Sequence, residues 1–163
     1  MSEYFGRYRG KVVNNADPEQ RGRLMVSVSG VTGSGQLNWA LPSMPFAGSG
    51  VGLFALPPVG ANVWVEYEGG DAEHPIWCGC FWGENDQVPA SPAVSQQVVL
   101  KTQGCTLTLS DLPGPAGGVK IELSSGMKIT LSSTALEITN GSGASIKLEQ
   151  ASVKLNNDAL EVT

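Results

Sequence analysis

Few residues in this chain could do chemistry, and their spacing decides what kind. Arg7, Arg9 and Lys11 alternate along GRYRGK, which places them on one face of an extended segment. A basic row on a β-barrel can meet an oligonucleotide, the acidic rim of a partner protein, or only solvent. Cys78 and Cys80 flank Gly79 in an apolar run, and in a regular strand both side chains would point to one face. Cα atoms at that spacing lie about 6–7 Å apart, at or beyond the reach of an unstrained disulfide. The third cysteine, Cys105, leaves an odd number, so free thiols from a reducing cytoplasm are the expectation. His74 stands beside Asp71, Glu73 and Pro75, which fits an ordered turn better than a metal or acid–base site. Glu66, Glu68, Asp71 and Glu73 cluster around the same turn, but their spacing does not match a calcium loop. No nucleophile elbow, phosphate loop, dinucleotide fingerprint or zinc pattern occurs. The expectation is a protein that is not an enzyme and carries no metal and no cofactor.

Composition narrows the partners. The 163 residues carry 10 Lys and Arg against 15 Asp and Glu, a net charge of −5. Such a chain repels polyanions, so nucleic acid is not expected as a partner. The first ten residues lack an apolar run behind their charges, so no signal peptide is expected. Residues 24–65 contain no Asp, Glu, Lys or Arg, yet prolines and glycines interrupt them too often for a membrane helix. A long uncharged stretch of this kind suggests burial, partly against another subunit.

The elements that must position these residues fall into two sets. All four tryptophans precede residue 83, and no aromatic residue follows it. Residues 84–97, rich in Pro and small polar residues, read as a linker between residues 1–83 and 98–163. In the first set, short alternating runs over residues 4–15, 22–30, 52–56, 61–68 and 74–82 read as five strands. Five strands in so short a span suggest a small closed barrel of the OB type.

The second set keeps strict period two in short bursts. Val119, Ile121, Leu123, Met127, Ile129 and Leu131 share one parity, and the pairs Leu136/Ile138, Ile146/Leu148, Val153/Leu155 and Leu160/Val162 follow. Residues two apart lie far from one another around a helix, and Ser, Thr, Val and Ile are poor helix formers, so a coiled coil is excluded. The pattern describes short strands with one greasy face and no helix or aromatic layer to cover it. Two arrangements would hide that face, a single-chain β-solenoid or several chains around one axis. The solenoid is thin at this length, and three chains forming a prism would bury every aliphatic row. These fourteen residues are the expected trimer core.

The segments GRYRGKVVNNADPEQRGRLMVSV and PPVGANVWVEYEGGDAEHPIWCGCFWG closely resemble the OB domain of phage baseplate assembly protein V and VgrG-type central spike proteins. The short-strand repeat is similar to that family's triple-stranded β-helix. The resemblance implies an all-β homotrimer: an N-terminal five-stranded OB-fold barrel, then an intertwined triple-stranded β-helix. It implies a structural central spike, made in the bacterial cytoplasm and assembled at the tip of a contractile phage tail or related injection particle. The spike would cross the target outer membrane only during piercing, on sheath contraction. The barrel would dock on a baseplate hub, with Arg7, Arg9 and Lys11 as candidate contacts. A PAAR-type tip protein would cap the other end at Leu160, Val162 and Thr163. The tip carries no histidine, so the His-x-His metal site of some short spikes is not expected. The competing reading is a free OB module that binds oligonucleotide or oligosaccharide.

Overall fold

Side chains that alternate apolar and polar make strands, and the computed structural model is all-β. It describes residues 3–31, 37–84, 86–156 and 159–162, with Glu161 and Val162 described by backbone only. Among the described residues the only helical elements are single 3-10 turns at Glu68–Gly70 and Gly114–Ala116. The chain divides into two compact units between Asp86 and Gln87.

The first unit is a closed barrel of β1 (Tyr8–Asn14), β2 (Leu24–Ser27), β3 (Asn38–Pro42), β7 (Pro75–Phe81) and β6 (Asn62–Tyr67), in that order around the wall. β3 and β7 run parallel, and the other pairs are antiparallel. Inward positions alternate along β2 and β6, and the core comprises Val12, Leu24, Val26, Val28, Ala40, Val63, Val65, Tyr67 and Trp77. Each fully buried Val or Leu contributes about 1.5–3 kcal/mol. Trp77 fills the barrel and satisfies its indole by donating to the Gly22 carbonyl at 3.1 Å.

The structure corrects two expectations here. The run at residues 52–56 is not a barrel strand. Only Val51–Gly52 is extended (β5), and it pairs with Ala47–Gly48 (β4) in a two-strand hairpin outside the barrel order. Pro57 and Pro58 lack amide donors for a ladder. β3 completes the wall instead. Its buried residue is the small Ala40, opposite the bulky Leu24, so volume is matched across the pair although hydrophobicity alone gives a weak signal. Secondly, Cys78 and Cys80 do not share a face. Val65 pairs with Trp77 but Val63 pairs with Cys80, so Cys78 and Gly79 together oppose Trp64 in a bulge. The bulge reverses parity, and Gly79 takes the φ of +126° that it requires.

The second unit is an eight-stranded antiparallel meander. It comprises β8 (Gln97–Lys101), β9 (Cys105–Ser110), β10 (Gly118–Leu123), β11 (Lys128–Leu131), β12 (Ala135–Thr139), β13 (Ser145–Glu149), β14 (Ser152–Leu155) and β15 (Leu160–Val162), each paired with its sequence neighbours. Its turns are closed by side chains. Thr102 Oγ1 accepts from the Cys105 amide, and Ser132 Oγ from Ala135, both at 3.1 Å. Asn140 Oδ1 accepts from the Ser142 and Ala144 amides at 2.8 and 3.0 Å. Ladder hydrogen bonds between successive strands are therefore made within one chain, and β8 and β15 are the open edges.

Candidate oligomerisation face

Directly paired residues of an antiparallel sheet point to the same side. Register therefore assigns every burst of the repeat. Val119 pairs with Leu131 and Ile121 with Ile129. Ile129 and Leu131 pair in turn with Ile138 and Leu136, which pair with Ile146 and Leu148. Those pair with Leu155 and Val153, which pair with Leu160 and Val162. Leu123 donates its amide to the Met127 carbonyl at 2.9 Å, which carries the same register into the turn. The thirteen of these fourteen residues with described side chains thus lie along one face. The backbone register puts Val162 there too, while its side chain and all of Thr163 lie outside the described residues.

The face is larger than the repeat suggested. Leu109 and Leu107 pair with Val119 and Ile121, and with Val98 and Leu100 on the other side. Leu107-x-Leu109 is a burst of the same kind and was legible. Val98 and Leu100 were hidden because Val99 between them breaks the alternation.

This face is uncovered. Val98 and Leu100 are 63% and 66% exposed, and Ile129, Leu131 and Leu148 are 41%, 49% and 43% exposed. Among the described residues, every buried apolar side chain belongs to the barrel, and the second unit contributes only Ser110 to the buried set. A sheet with a core of its own would bury these rows. Covering half-exposed aliphatics gains about 1 kcal/mol each, on the order of 10 kcal/mol per chain.

The opposite face is polar and charge-matched. Glu122 pairs with Lys128, and Glu137 with Lys147. Lys147 and Lys154, like charges, stand directly opposite one another. Glu149 resolves the conflict by bridging both lysines, with Lys154 Nζ at 2.9 Å. The hydrogen bond from Lys147, then that from Lys154, holds its carboxyl below the usual range.

On the barrel, the basic row is partly engaged. Arg7 Nε donates to Glu66 Oε1 at 2.8 Å. The Arg9 guanidinium lies 5.9 Å from the Trp64 ring centroid and 5.5 Å from that of Phe81. Lys11 is exposed beside them, in a shallow groove with Ser27, Asn62 and Phe81. Cation–π contact rather than a row of free charges is what sequence spacing missed, since Trp64 and Phe81 are distant in sequence and meet only through the bulge. Desolvation pushes the half-buried Cys78 thiol and the more exposed Cys80 thiol up. His74 Nδ1 lies 3.1 Å from Asp71 Oδ2 in an exposed turn, and no three His, Cys, Asp or Glu converge among the described residues.

Two family matches follow the order of the two units. The Type VI secretion system/phage-baseplate injector OB domain matches residues 8–82, and the phage baseplate V C-terminal trimerisation domain matches residues 97–161. No curated protein matches the chain. The second match supports a homotrimer and falls on the unit whose aliphatic face is bare. An OB barrel followed by a trimerisation domain makes this chain a member of the phage baseplate V family, a baseplate component of a phage tail or injection particle.

Proposed function

We propose that three copies of the chain close their aliphatic faces on one axis as a triple-stranded β-helix and serve as the central spike of a contractile particle. The observation that carries this reading is the bare face of β8–β15 in a unit that has no buried apolar side chain among its described residues. Residues Val119 to Val162 of the repeat form the dry core of the rod. Ladders of main-chain hydrogen bonds around a dry core resist bending and axial load. Sheath contraction supplies the force, and the chain supplies stiffness and no chemistry. Arg7, Arg9 and Lys11 face the hub that carries the spike, and Leu160, Val162 and Thr163 meet a tip protein of the PAAR type.

Light scattering tests the assembly. The chain should weigh three times 17.0 kDa, about 51 kDa, and a monomer would overturn the reading in favour of a free OB module. Piercing is tested on whole particles. Particle preparations made with the Ile129→Asp chain, which fails to trimerise, should leave target outer membranes sealed to a periplasmic dye. Full permeabilisation by them would end the piercing role.

A further inference from the structure

The β4–β5 hairpin carries an apolar cluster that the trimer core does not use. Ala47 pairs with Gly52 and Gly48 with Val51, and the Leu53 amide donates to the Phe46 carbonyl at 3.2 Å. That register puts Phe46, Val51 and Leu53 on one side of the hairpin. They are 61%, 67% and 49% exposed. The cluster is held in place from behind, because Met44 and Leu56, at either end of the hairpin, pack against the barrel core. It also lies within the stretch from residue 24 to residue 65 that contains no charged side chain.

We propose that this hairpin packs against a barrel of a sister copy, so that the trimer is closed at the barrels as well as along the rod. The proposal rests on the trimeric reading above. Two observations favour a sister copy over a separate protein. Identical surfaces gathered about a threefold axis bring like charges together, and an uncharged segment is the kind that can do so without repulsion. The cluster is also small. Three side chains cannot cover the roughly 800 Å² per partner of a free-standing interface. They suffice between barrels that are already tethered, where the second contact forms at an effective concentration of about millimolar.

The test uses the full chain with Cys78, Cys80 and Cys105 replaced by Ser. Val51→Cys is compared with Glu19→Cys, a position in an exposed, charged turn. Both are labelled with a maleimide dye while light scattering reports the mass. In the trimer, Cys at 51 should label at least about tenfold more slowly than Cys at 19, as expected for a site open only when a contact breaks. Equal rates in an intact trimer would overturn this proposal alone and leave the hairpin to another partner. A monomer would overturn the trimer as well. Phe46→Ser supplies a second reading. It should restore fast labelling at position 51 while the mass stays trimeric, and unchanged protection would also overturn the contact.

Discussion

Asp17 shows how one side chain can hold a long turn. Its carboxylate accepts from the amides of Glu19, Arg21 and Arg23, at 3.0, 2.8 and 3.2 Å, and from the Arg23 guanidinium at 2.8 and 3.0 Å. Arg23 in turn lies 5.5 Å from the Trp39 ring centroid, on β3. These contacts, the Arg23 hydrogen bond foremost, hold the Asp17 carboxyl well below the usual carboxylate range. A depressed folded value means that the stabilisation is present above the unfolded value of about 3.9 and is lost as pH falls through the folded one. Asp17→Asn should therefore lower the melting temperature at neutral pH and flatten the acid side of the profile, both read by thermal scans from pH 7 to pH 2. Tyr67 is the opposite case. Burial beside Tyr8 and Tyr4 raises its pKa to about 12, and its hydroxyl has no hydrogen-bond partner among the described residues. Tyr67→Phe removes an unpaired polar atom and should leave barrel stability unchanged or raise it by about 1 kcal/mol in denaturant titration.

Parity governs behaviour at the level of strands. Ile129 and Lys128 are adjacent in β11 and face opposite sides of the sheet. Ile129→Asp places a carboxylate on the aliphatic face, where burying it costs several kcal/mol, about enough to abolish the trimer. Lys128→Asp faces Glu122 on the polar side and should cost only about 0.2–1 kcal/mol, leaving the mass unchanged. Identical masses for the two variants would refute the assigned faces. Tight turns set a second limit. Gly118 opens β10 at φ +111°, and a Cβ there would sit 2.0 Å from the Leu131 carbonyl oxygen. Gly118→Ala should break the start of the β10–β11 pair, seen as a lower melting temperature and a reduced trimer yield on gel filtration.

The molecule as a whole divides its labour. The barrel holds the buried core of the single chain, and the second unit offers its aliphatic surface to copies of itself. An assembly held by that surface depends little on screened charge. Its mass should stay trimeric as salt is raised to about 1 M, and it should resist detergent at room temperature because dissociation must expose every row. Salt-induced dissociation would shift the weight of the interface to the charged face around Glu149. The sequence by itself determined the features carried by neighbouring side chains: the all-β class, the change of character near residue 83, and the parity that aligns Ile121, Ile129, Leu136 and Leu148. Alternation is a local property, readable wherever polar and apolar residues take turns. Tertiary structure alone decided that Ala40 rather than residues 52–56 completes the barrel wall, and that a bulge at Cys78–Gly79 sends the two cysteines apart. It also decided that Arg9 rests on Trp64 and Phe81. Each of these depends on a partner far along the chain, through matched volume, shifted register or a ring brought into range, and no run of adjacent residues records such a pairing.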